Sequence, residues 1–97
     1  MTPNERLDEI RARLAAIAPG EWRVVKFPPV NGIRNWHVHD NEGRTIADTG
    51  WEAAPNSDTD ADFIAHAPAD IRFLLDLLEE CKQAALELND LARHGGY

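Results

Sequence analysis

From Ile71 onward the chain repeats small and large apolar residues at alternating steps of three and four: Ile71, Leu74, Leu78, Cys81, Ala85, Leu88 and Ala92. That spacing is the seven-residue period of an α-helix packed along one stripe, and it predicts a long C-terminal helix over 69–93. Arg93 and His94 suit the negative end of a helix, and Gly95-Gly96 would stop it. Leu75, Leu77, Leu86 and Leu91 lie off the stripe, so this helix is apolar on more than one side and must be covered on more than one side. A chain of 97 residues is one small domain, 1–97, with room for one small core. The rest of the chain can cover one side of the helix. The other side calls for a partner, which predicts a dimer or higher oligomer of this chain through the 69–93 helix.

The elements before it follow from local signals. Thr2-Pro3-Asn4-Glu5 is a helix start, with a capping threonine, proline at the first helical position and glutamate completing a capping box. Leu7, Ile10, Leu14 and Ile17 then form one apolar stripe, ended by Pro19-Gly20. A helix of about fifteen residues is marginal alone, so the stripe must pack on something. Residues 22–27 have strand composition, closed by Pro28-Pro29 and a turn at Asn31-Gly32. Ile33 to Asp40 alternates: Arg34, Trp36 and Val38 share one face, and Ile33, Asn35, His37 and His39 the other. A turn at Asn41-Glu42-Gly43 leads to a third strand over 44–48, and Trp51 is placed in a short fourth after a break at Thr49-Gly50. Glu52 to Asp58 is a loop, and Thr59 caps a short helix that Pro68 interrupts or from which it opens the next. The expected fold class is α+β: an N-terminal helix, a three- to four-stranded antiparallel sheet, a short helix and the long C-terminal helix.

Charge narrows the function classes. The net charge is −7, yet residues 1–51 hold seven acids and seven bases and are neutral. Residues 52–70 carry five acids and no base, so the negative excess lies after Trp51. This argues against a nucleic-acid polymer as partner, because that affinity comes from neutralised phosphates. The single cysteine, Cys81, excludes an internal disulfide framework and is expected to fill space in the helix. No apolar run reaches membrane-spanning length and the N-terminus lacks a signal-peptide core, so no membrane partner and a cytoplasmic location are expected. No serine–histidine–acid order, phosphate-cradling glycine loop or kinase signature appears, so the chain is expected not to be an enzyme and to need no cofactor.

Three constellations remain. His37 and His39 share a strand face, but a metal site needs a third ligand and Asp40 points the other way, so no metal is assigned. Asp58, Asp60 and Asp62 imitate a calcium loop, but Phe63 and Ala69 stand where that loop needs glycine and glutamate. Trp22, Trp36 and Trp51 lie on the predicted strands among Arg23, Arg34 and Arg44. Aromatic faces stack on a nucleobase and guanidinium groups grip a phosphate, so a small nucleotide is the ligand this set would take. The alternative is that the tryptophans form the core and the arginines stay in water.

The run Asp60-Ala61-Asp62-Phe63-Ile64-Ala65, with Leu74-Leu75 downstream, resembles a segment of small proteins from actinobacterial phages and prophages. It is also similar to the ead/Ea-type early proteins of lambdoid phages, and the likeness extends from Arg44 through Glu80. Asp60 replaces the usual asparagine, and Pro68 replaces a polar residue. The resemblance implies a phage or prophage accessory protein working in the cytoplasm of a bacterial host. Similar phage proteins of the Thoeris anti-defence type are oligomers that sequester cyclic nucleotide immune signals. By that analogy the ligand contacts are Trp22, Arg23, Arg34, Trp36, Arg44 and Arg72, with Phe63 from the matched run. The second functional class is a protein-interaction module in which the acidic stretch 52–70 meets a basic host protein.

Overall fold

The computed structural model describes residues 2–26 and 32–94, and the fold is α+β. Helix α1 spans Pro3–Ala16, strand β1 Arg23–Lys26, β2 Asn35–His39, β3 Thr45–Trp51, and helix α2 Ser57–His94. The proline pair Pro28-Pro29, Asn31 of the expected turn and the Gly95-Gly96 stop lie outside the described residues. No cysteine but Cys81 exists to staple this fold, so packing of α2 on the sheet must hold it.

Helix α1 begins where its cap predicts: the Glu5 backbone amide donates to the Thr2 hydroxyl over 3.1 Å. Its stripe of Leu7, Ile10, Leu14 and Ile17 is only half-buried. Three of those residues, Ile10, Leu14 and Ile17, line a groove against α2 with Ile64, Ala67 and Ile71. The chain then turns through Gly20, at φ +87°, where a Cβ would stand 2.8 Å from the Cβ of Asn41. Both the left-handed backbone and that close approach require glycine.

The sheet is an antiparallel meander in the order β1-β2-β3. Val24 pairs with Val38, and Val38 with Ala47, so these three share the face turned to α2. Val38 and Ala61 are wholly buried there, with Ala65 beside them and Trp22, Val24, Trp36, Ala47 and Ile64 packed around. Alanines at 61 and 65, one turn apart, let the helix backbone approach the sheet closely.

Two irregularities in the β2–β3 register correct the strand assignment. His39 pairs with Thr45 but Val38 with Ala47, and His37 pairs with Asp48 but Trp36 with Gly50. Ile46 and Thr49 are the extra residues of two bulges, which let β3 run through Thr49-Gly50 to Trp51. Trp51 therefore ends the third strand and does not start a fourth. The second bulge also ties the sheet to α2, because the Thr49 hydroxyl reaches the Ser57 carbonyl at 2.6 Å and the Trp36 carbonyl at 3.3 Å.

The two helices expected after the sheet are one. Helix α2 runs unbroken for 38 residues with Pro68 inside it, and it starts two residues before Thr59. Proline removes one backbone bond and crowds the preceding turn, at a cost of roughly 3 kcal/mol. Pro68 is buried, and Ala61 and Ala65 before it and Leu75 after it are held against the rest of the fold, so packing on both sides carries the helix through. The result is elongated, 77 × 25 × 24 Å. Beyond Leu75 every residue to Arg93 is exposed, including Cys81, which fills no interior space.

Candidate functional site

The expected nucleotide platform is divided by the fold. Trp36 sits on the inner sheet face against the core, where the alternative to a ligand platform puts it. The Lys26 ammonium lies 4.8 Å from the centre of its ring and 3.3 Å from a Glu52 carboxylate oxygen. Trp51 is half-exposed at the far end of β3. Arg23 is exposed at the start of β1, in register with His39, while Arg34 precedes the other end of β2. The length of β2, about 16 Å at strand rise, separates the two.

Arg44 is engaged. The buried Asp40 carboxylate accepts from the backbone amides of Glu42 and Arg44, both at 2.9 Å, and from Arg44 Nε at 3.0 Å. A second guanidinium nitrogen of Arg44 lies 3.5 Å from Glu42. Burial pushes the Asp40 carboxyl up, but these two amides and the guanidinium outweigh it and hold it below its ordinary value. This is a turn lock for the β2–β3 hairpin: the tip is shaped by Asp40, and Arg44 serves that lock.

On the outer sheet face His37 Nε2 lies 3.3 Å from Asp48, and the imidazole centroids of His37 and His39 are 5.7 Å apart. Asp48 is held below the ordinary carboxyl value, first by the Gly50 amide at 2.9 Å and then by the Asn35 side-chain amide; partial burial opposes this and the His37 charge adds to it. Among the described residues no three histidine, cysteine or acidic side chains converge as metal ligands. Asp58 and Asp60 occupy the first turn of α2, where carboxylates meet the positive end of the helix dipole. Asp62 follows one residue beyond Ala61, and its backbone carbonyl and carboxylate both face His66 Nδ1, at 2.8 and 3.3 Å.

Two concavities gather the remaining candidates. A cleft of about 310 Å³ brings Trp22 and Arg72 together with Gly20, Glu21, His66 and Pro68. A larger groove of about 470 Å³ between α1 and α2 holds Trp22 and Phe63 with Arg6, Arg13, Leu14 and Ile71. Trp22 borders both, its indole nitrogen donating to the Ala18 carbonyl at 3.2 Å. Thus Trp22 shares one concavity with Arg72 and the other with Phe63, while Arg23, Arg34, Trp36 and Arg44 line neither. Glu21, His66, Arg6 and Arg13 were not singled out by the sequence as contacts of such a cleft. For Arg6 and Arg13 the signal was the α1 stripe, which had to lie on some surface and brought its flanking arginines with it; Glu21 and His66 had none.

A third surface is apolar and exposed. Phe63 is 76% exposed, Leu88 68%, Leu91 66% and Leu74 55%. On α2 these fall with Leu77 and Leu78 on one broad face, while Asp76, Glu79, Gln83, Glu87 and Asp90 recur on the opposite one. No helix among the described residues is long and apolar enough to cross a membrane. No family model, curated protein or solved structure matches the chain.

Proposed function

We propose that this chain is a non-catalytic protein-interaction module. A small helix–sheet head anchors α2, and the distal half of α2 presents an apolar face to another protein helix. The observation that carries this reading is the run of exposed leucines on one side of a helix that nothing else in the described chain covers past Leu75. Helical stability comes mainly from packing of an apolar face, so a partner that covers these leucines also stabilises the element that binds it. The phage-protein resemblance over Arg44 through Glu80 supports an accessory role of this kind in the cytoplasm of a bacterial host. The test compares the wild-type chain with a Leu78→Glu, Leu88→Glu variant by sedimentation, both purified and in extract of the cells that make it. Wild type should sediment above the mass of one chain in at least one setting, and the variant as a single chain in both. A wild-type monomer in both settings overturns the reading.

One observation favours a second reading, sequestration of a small nucleotide. Trp22 and Arg72 share a cleft, and an aromatic face beside a guanidinium is the pair that such a ligand needs. A thermal-shift panel of cyclic nucleotides tests it: a rise that Arg72→Ala abolishes supports it, and no rise with any member removes it.

A further inference from the structure

The stripe on the exposed face of α2 carries enough detail to name its occupant, and that assignment rests on the interaction reading. Helix α1 borders its groove with α2 at Ile64, Ala67 and Ile71 and reaches Glu79 through the Arg11 side chain, at 4.0 Å, and the last buried residue of α2 is Leu75. The stripe Ile71, Leu74, Leu78, Cys81, Ala85, Leu88 carries no charged side chain, so it selects neither an acidic nor a basic peptide. It selects another apolar stripe at the same three–four spacing.

This chain's own stripe has that spacing, and its order of sizes decides the direction. In a parallel pair each residue meets its own copy, so Ala85 faces Ala85 and Cys81 faces Cys81, leaving two underfilled layers between the leucine layers. Reversed, with positions of one set meeting the other, Ile71 meets Leu88, Leu74 meets Ala85 and Leu78 meets Cys81 of the second copy. The two-fold axis repeats each pair. The two smallest residues, Ala85 and Cys81, then each face a leucine, as interdigitating layers require. Leu77 and Ala84 flank the stripe on one side and pair in the same sense, widening the contact.

The area is adequate. Leu74, Leu77, Leu78, Leu88 and Leu91 are 55%, 44%, 50%, 68% and 66% exposed. Leu91 lies beyond the paired span and Ile71 sits at the edge of the groove beside α1; the rest of the face offers roughly 600 Å² per chain, so a pair buries about 1,200 Å², at the lower end of specific stable interfaces. The acidic residues Asp76, Glu79, Glu87 and Asp90 stay on the outer faces in water. We propose that two copies of this chain pair antiparallel through residues 71–88 of α2, with Ile71 on Leu88, Leu74 on Ala85 and Leu78 on Cys81.

The experiment uses the full chain. In a Cys81→Ala background, Leu74→Cys and Ala85→Cys are made separately, then oxidised mildly alone and mixed, beside sedimentation of the purified wild type. The proposal expects wild type at twice the 10.9 kDa chain mass. It expects a disulfide in the mixture between positions 74 and 85, within the reach of a bridge. Neither variant should link alone, because like positions stand about 16 Å apart along the axis. Leu78→Glu, with unchanged tryptophan fluorescence, should raise the dissociation constant at least tenfold. Bands from each variant alone in place of the mixed band overturn the antiparallel pairing while the interaction reading stands. A purified wild-type monomer that sediments as a complex in extract overturns self-pairing and again spares that reading. A monomer in both settings overturns both.

Discussion

Val38→Ala tests which face of the sheet meets α2. Val38 is wholly buried between Ala61 and Ala65 of α2 and its strand neighbours Val24 and Ala47. Truncation removes two methyl groups from a closed site, about 1.6 kcal/mol at ~0.8 kcal/mol per buried carbon. The backbone of α2 is already close, so the gap collapses only in part; a residual void of about 40 Å³ adds about 1 kcal/mol. The expected loss is about 2.5 kcal/mol, or a fall in Tm of roughly 10–15 °C for a domain of this size. Urea unfolding followed by tryptophan fluorescence reads it, since Trp22 and Trp36 pack against this cluster. Protein concentration must be held fixed, because association would add to apparent stability. The control is Val25→Ala, one residue along β1 from Val24 and in register with His37 on the other face. A Val38→Ala loss below about 0.5 kcal/mol, or a Val25→Ala loss as large as that of Val38→Ala, would mean that the opposite face is the buried one, because a one-residue slip turns every side chain over.

Gly20→Ala and Gly43→Ala both force a side chain onto a left-handed backbone, at φ +87° and +85°, but only at Gly20 does the new Cβ meet an obstacle, Asn41 Cβ at 2.8 Å. Each should destabilise by about 1–2 kcal/mol, with Gly20→Ala costing at least about 1 kcal/mol more in the same urea assay. Asp40 and Asp48 have carboxyls held below their ordinary value of 3.8, so their contribution to stability is present above 3.8 and lost as pH falls through the lowered values. Asp40→Asn should therefore flatten the acid limb of stability against pH below about 3.8 and leave the region above about pH 5 with a constant offset. His66 is raised above 6.5, first by the Asp62 carbonyl that its ring faces and then by the Asp62 charge, with Asp70 and Glu21 adding to it and desolvation opposing. Its contribution is complete below 6.5 and fades as pH rises through the raised value, so His66→Gln should remove a small alkaline decline that titration by NMR can assign to this ring.

Local chemistry made α1 legible. Thr2, Pro3 and Glu5 act within one turn of each other, and a cap is satisfied by neighbours in sequence whatever the rest of the chain does. The stripe on α2 was legible for the same reason, since helical period is set by backbone geometry. Pro68 was misleading because its penalty is local while the packing of Ala61, Ala65 and Leu75 that outweighs it is tertiary. The bulges at Ile46 and Thr49 left no mark in the alternation, so β3 reads as two pieces in sequence and forms one strand in space. Of the candidate ligand contacts, Trp36 was already placed by alternation on the face of Val38; a position that alternates with the most buried valine is a core position first. The partners of Arg44 could be suspected from Asp40 four residues earlier, but that a carboxylate there is buried follows only from the hairpin closing around it.

The division of α2 at Leu75 is what connects fold to function. Before it, alanine and proline face the sheet, where small size permits close approach; after it, leucines recur on the opposite side, where nothing of the described chain stands. A helix evolved only to cover a three-stranded sheet needs about as many residues as reach across that sheet. Three strands at about 4.8 Å spacing are spanned by some ten to fifteen residues of helix. The 38 residues of α2 are more than twice that. The head reaches this excess through a half-exposed ion pair, Arg11–Glu79 at 4.0 Å, which is worth little, and helical stability comes mainly from packing of an apolar face. The leucines of the excess lower the free energy only when covered, so the sequence of the distal half makes physical sense as one side of an interface whose other side is supplied by a second chain.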